Sequence, residues 1–100
     1  MALPDRKSHR VALDEAAAQT KRFRDGQHKG GYFHRQDLDD LLAQSGCVGV
    51  RYYYGRKTEG QETLVFVGVD KEGNDLIQGV VLEDTFWCPP FCGAANVLNS

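Results

Sequence analysis

Eight consecutive residues, Glu62-Thr63-Leu64-Val65-Phe66-Val67-Gly68-Val69, constrain the fold more than any other part of the chain. Apolar side chains fall on both alternations of this run, so as a β-strand it has no face to give to water. Such a strand needs hydrogen-bonded neighbours and cover above and below. That cover has to come from a chain of 100 residues, enough for one thin core and too short for a second domain of ordinary size.

The neighbouring segments supply candidates. Cys47 to Tyr54 alternates, with Val48, Val50, Tyr52 and Tyr54 on one face and Arg51 and Tyr53 on the other. A polar turn, Arg56 to Gln61, leads into the central run. Asp70 to Asp75 reads as a second turn. Its oxygens resemble the start of a calcium loop, but Asp75 and Val81 stand where that loop requires Gly and a bidentate Glu. Residues 76–82, LIQGVVL, read as a third strand. Short turns between three strands predict an antiparallel meander.

Helical spacing appears only earlier in the chain. Residues 13–25 place Leu13, Ala16, Ala17, Thr20 and Phe23 on one stripe, with Asp14 and Glu15 at the start and Lys21, Arg22 and Arg24 at the end, where the helix dipole favours each sign. Arg35 to Ser45 forms a second helix with Leu38, Leu41 and Leu42 on its apolar side and Gly46 as its stop. The Gly-rich connection 26–34 turns Tyr32 and Phe33 back towards the core. The expected fold is α+β: two N-terminal helices packed on a small three-stranded antiparallel meander, in two layers, with a Pro/aromatic C-terminal tail. Residues 1–12 form an extended arm, 13–82 the α+β domain and 83–100 a docking tail. Leu38, Leu41, Leu42, Val65, Val67 and Phe23 are the expected core.

The tail, EDTFWCPPFCGAANVLNS, carries no Lys or Arg and no period, and Pro89-Pro90 excludes a helix. Three cysteines, Cys47, Cys88 and Cys92, are an odd number for a disulfide framework. Cys88 and Cys92 have three readings. They pack as small apolar groups, which is the favoured one. They form a disulfide or a reactive thiol pair, although three residues intervene where the thioredoxin motif has two. Or they bind metal, with Cys47 as third ligand and His9, His28 or His34 as fourth. No metal or other cofactor is expected.

Residues 6–35 gather Arg6, Lys7, Arg10, Lys21, Arg22, Arg24, Lys29 and Arg35, a candidate phosphate-binding surface beside the strand tyrosines. The chain as a whole carries a net charge of -2, so nucleic acid is the third choice of partner. No Gly-rich phosphate loop, His-x-x-x-His or nucleophile elbow occurs, and no catalytic residue is assigned. Residues 1–10 have charge but no apolar run behind it, and the longest apolar run is too short to span a bilayer, so a cytoplasmic location without a membrane partner is expected.

Three segments, LLAQSGCVGVRYYYG (41–55), LVFVGVDKEGNDL (64–76) and CPPFC with a final LNS (88–92 and 98–100), together resemble a group of small, functionally unassigned bacterial proteins of Bacteroidetes-like genomes. The resemblance implies a complete small protein and carries with it no activity, cofactor or site residue. The residues therefore point to a non-enzymatic protein acting by contact, as a self-associating, adaptor or structural component. Phe86, Trp87, Pro89, Pro90, Phe91 and Leu98 are its expected interface. The alternatives are a metal-binding or thiol-redox module using Cys88 and Cys92, and a nucleic-acid binder using the basic 6–35 segment.

Overall fold

The computed structural model describes residues 3–26 and 28–100; Met1 and Ala2 of the expected arm and Gln27 of the Gly-rich connection lie outside the described residues. Among the described residues the elements are α1 (Leu13–Lys21), β1 (Gly30–Tyr32), α2 (Arg35–Leu42), β2 (Gly49–Arg56), β3 (Glu62–Val69), β4 (Val81–Leu82) and β5 (Phe86–Cys88). Two helices with small antiparallel sheets make the protein α+β. Where the sequence predicts three strands in one sheet, five stand in two, β2-β3-β4 and β1-β5. The elements belong to two compact units interleaved along the chain. One holds Phe33–Thr85 with the first residues up to Asp5, the other Arg6–Tyr32 with Phe86–Ser100.

In the first unit β3 runs between β2 and β4, antiparallel to both. The register extends from Gly49 opposite Val69 to Arg56 opposite Glu62, and Phe66 and Val67 face Leu82 and Val81. This is the place that a strand apolar on both faces demands. Leu41 of α2 is 1% exposed, Val67 and Val69 are 4% exposed, and Thr63 is 7% exposed. The Phe33 ring meets Phe66 edge-on at 5.1 Å. Leu38 and Val65 are half-buried. Leu42 is 51% exposed, against expectation, because it follows Leu41 by one residue and α2 buries a single narrow stripe.

Local chemistry sets the element ends. The helix expected to reach Ser45 stops at Leu42, and Gly46 at φ +77° makes the turn that follows, closed by the Cys47 N–H donating to the Gln44 carbonyl at 3.0 Å. In the 70–75 turn, Asp70 Oδ1 accepts the N–H groups of Glu72 and Asn74, at 2.9 and 3.0 Å. The third strand is shorter than predicted. The Gly79 N–H turns back to the Leu76 carbonyl, and the Val80 N–H donates to Gln44 Oε1 at 2.8 Å, so only Val81–Leu82 pairs with β3. Gln44 also donates to the Leu41 carbonyl, which ties the end of α2 to this segment. A Cβ at Gly79 would run into Gln44 Oε1.

The second unit is built differently. α1 ends at Lys21 rather than residue 25, where the Phe23 N–H and then the Gly26 N–H close tighter turns on Thr20 and Phe23. Phe23 is 62% exposed, not a core residue, because it stands in this turn with its ring over Gly26. β1 and β5 pair antiparallel, with Gly30 opposite Cys88, Gly31 opposite Trp87 and Tyr32 opposite Phe86. No described residue of this unit is fully buried.

Candidate interaction site

β5 and the turn beyond it carry the most concentrated apolar chemistry of the second unit. Cys88 and Cys92 are joined by a disulfide, which overturns the expectation that both thiols only pack. The odd count is accounted for by Cys47, a free, half-buried thiol of the first unit that donates to the Gly49 carbonyl at 3.2 Å. The bridge closes a small ring through Pro89, Pro90 and Phe91, and the Phe91 N–H donates to the Trp87 carbonyl at 2.9 Å. Proline has little backbone freedom and the bridge removes most of what remains, so the ring is stiff.

Alternation along β5 sends Phe86 and Trp87 to opposite sides. Phe86 lies 5.3 Å from Phe91 and 6.4 Å from Tyr32, centroid to centroid. Phe86, Phe91 and Tyr32, with Cys92 and Gly93, line an open groove of about 360 Å³. Phe91 is 62% exposed. Trp87 instead stacks on His28 at 4.5 Å and is half-buried. Pro89 and Pro90 are exposed at the rim of the ring. Leu98, also exposed, lies in the last turn, where its N–H donates to Asn96 Oδ1.

Part of the basic segment holds this tail. Arg24 donates to the Ser100 and Leu98 carbonyls, Lys29 Nζ donates to the Asn99 carbonyl at 2.6 Å, and the Lys29 N–H donates to the Cys88 carbonyl at 2.7 Å. Arg35 pairs with Asp39 on α2. Of the proposed metal ligands, Cys88 and Cys92 are bonded to each other and offer no thiolate. Among the described residues no three His, Cys, Asp or Glu side chains converge.

Two polar clusters occupy the first unit, and sequence reading missed both. Tyr53 and Arg51 project from the same face of β2 onto Asp75. The Tyr53 hydroxyl donates to Oδ2 and Arg51 Nη1 to Oδ1. The Tyr53 hydroxyl first, and the guanidinium with it, hold the Asp75 carboxyl below the ordinary carboxylate range, and the same bond to Asp75 pushes the Tyr53 phenol up. In the second cluster the Thr63 hydroxyl donates to Glu83 at 2.7 Å, and Lys57 Nζ reaches Asp84 at 2.6 Å and Glu83 at 3.4 Å. Glu83 is lowered chiefly by Thr63, and Lys57 is raised chiefly by Asp84. Only the i, i+2 spacing of Arg51 and Tyr53 was visible beforehand. Their shared acidic partner, Asp75, lies more than twenty positions on, at a separation no local pattern encodes.

Among the described residues no helix is long and apolar enough to cross a membrane. No protein-family model matches the chain, and no curated protein or solved structure is significantly similar to it.

Proposed function

We propose that the protein acts by contact rather than by catalysis, as a cytoplasmic self-associating or adaptor component whose Phe86–Leu98 segment presents the interface. One observation supports this most: Phe86 and Phe91, on a segment stiffened by a disulfide ring, stand exposed beside Tyr32 of the paired strand β1. Grouped exposed rings are characteristic of docking surfaces, and a stiff segment loses little entropy on docking. The test is sedimentation of full-length protein and of Phe91→Lys. Phe91 is 62% exposed and its ring lies beside Phe86, so the variant should fold, and it should sediment as a smaller assembly than the wild type. A full-length protein whose mass is unchanged by Phe91→Lys overturns the assignment of this segment.

The bond between Cys88 and Cys92 favours a second reading, thiol–disulfide exchange. Cys92 is exposed and Cys88 half-buried, so an external thiolate reaches Cys92 Sγ more readily. A new S–S bond then forms at Cys92, the old one breaks, and the electron pair leaves on Cys88 Sγ. Incubation with a glutathione redox buffer followed by alkylation and mass measurement should trap a mixed disulfide on Cys92. A bridge that stays closed at cytosolic poise removes this reading.

A further inference from the structure

The three-stranded sheet of the first unit has at one edge an eight-residue strand, β2, to whose outer side no described residue is hydrogen-bonded as a strand. Which groups face that edge follows from two bonds. The Lys57 N–H donates to the Gln61 carbonyl, the pair next beyond Arg56 and Glu62, so the odd-numbered residues of β2 turn their main-chain groups towards β3. The Leu76 N–H donates to the Gly68 carbonyl, so the even-numbered residues of β3 turn away from β2, in agreement. The N–H and C=O groups of Val50, Tyr52 and Tyr54 therefore point outwards. Their side chains share one face and are 48%, 56% and 84% exposed. The other edge strand, β4, has only two residues.

We propose that the β2 edge pairs antiparallel with the β2 edge of a second copy of this chain, about a two-fold axis at Tyr52. The site is distinct from the Phe86–Leu98 segment and goes beyond the reading given for it. The strand is self-complementary in this register. Turned by the axis, Tyr52 meets Tyr52 of the second copy and Val50 meets Tyr54, and each of these pairs exchanges two main-chain hydrogen bonds. On the same face this sets aromatic against aromatic and aromatic against a β-branched side chain, both favourable cross-strand pairs.

On the other face Arg51 lies opposite Tyr53 of the second copy, whose hydroxyl is bonded to Asp75. Each guanidinium is thereby brought up to the other copy's Tyr53–Asp75 pair, and no like charges are opposed. Centring the axis on Arg51 instead would oppose two guanidinium groups. A long, uncharged-faced edge is a liability that a chain covers or pairs, and pairing with its own copy satisfies every outward group from Val50 to Tyr54.

The experiment uses full-length protein with Cys47→Ser, so that the added thiol is the only free one. Tyr52→Cys should give a disulfide-linked dimer on mild oxidation, since opposed residues of a hydrogen-bonded pair lie about 5.5 Å apart, within disulfide reach. Tyr53→Cys, offset from the axis, should cross-link at least about tenfold more slowly, at equal thiolate fraction. Phe91→Lys, which removes the Phe86–Leu98 contact, should still sediment as a dimer, and adding Tyr52→Lys to it, which sets two cations face to face, should reduce it to a monomer. The inference is overturned if Phe91→Lys sediments as a monomer at high concentration, if the Phe91→Lys, Tyr52→Lys double variant remains dimeric, or if Tyr53→Cys cross-links as fast as Tyr52→Cys. Should a Tyr52 variant fail to fold by circular dichroism, protection of the Val50, Tyr52 and Tyr54 amides in wild-type hydrogen exchange decides the matter. Amides that exchange at solvent rates overturn it.

Discussion

The two units of this protein are held together by different physics. The Phe33–Thr85 unit buries side chains: Leu41, Thr63, Val67 and Val69 are its interior, and a strand apolar on both faces is its centre. The Arg6–Tyr32 and Phe86–Ser100 unit has no fully buried described residue. Its cohesion comes from the short β1–β5 ladder, the Cys88–Cys92 bridge, ring stacking, and Arg24 and Lys29 donating to tail carbonyls. The difference shows how a short chain extends order beyond its hydrophobic core. Where apolar area is scarce, covalent closure and satisfied main-chain groups take over.

The sharpest way to break the comparison is Leu41→Ala. Removing a side chain that is 1% exposed should cost about 2–5 kcal/mol. The loss should appear in hydrogen exchange of the β3 amides. Trp87, the single tryptophan and a member of the second unit, reports separately by fluorescence and should shift less. An equal shift in both signals would mean that the two units unfold as one.

Reduction of the Cys88–Cys92 bridge is the converse test. Closing a loop this short is worth about 2 kcal/mol in the chain-entropy account. The Trp87 signal and the Lys29 and Phe91 amide protection should fall while β3 stays protected. A β3 transition that moves with reductant would contradict the division. A smaller effect is expected from Arg24→Ala, which removes donors to Ser100, Leu98 and Thr20 carbonyls. The expected cost is about 1 kcal/mol, with faster exchange confined to the last residues of the tail.

The smallest effect sharpens the picture of the first unit. Asp75 and Glu83 are held below their ordinary values, so their contribution is present above about pH 4 and is lost as the pH falls through their lowered folded values. Tyr53 and Lys57 are raised, so theirs is present below about pH 10 and is lost as the pH rises through the folded values. The clusters are open to solvent, and the acid loss should be modest and weaker in high salt. Asp75→Asn should flatten the dependence of the β3 exchange midpoint on pH between about 2 and 5. An unchanged profile would deny Asp75 its role.

Local pattern determined a good deal of this. The run 62–69, with apolar side chains on both alternations, specified a strand that had to be interior, and the alternation of 50–54 separated Tyr52 and Tyr54 from Arg51 and Tyr53. The existence of both helices, the burial of Leu41 and Val67, and the 70–75 turn follow from period and turn chemistry carried by adjacent residues. What tertiary structure alone decided involves partners distant in sequence. Gln44 takes the Val80 N–H and shortens the third strand. Gly30–Tyr32, too short and too rich in glycine to signal a strand, becomes one only because Phe86–Cys88 lies beside it. The disulfide obeys the same rule in a subtler form: four positions of separation permit it, but only the turn through Pro89 and Pro90 brings the two sulfurs within bonding distance. A sequence displays the periods of its own segments, whereas a hydrogen bond or ring contact between remote residues depends on where the folded backbone places both, and no local pattern records that.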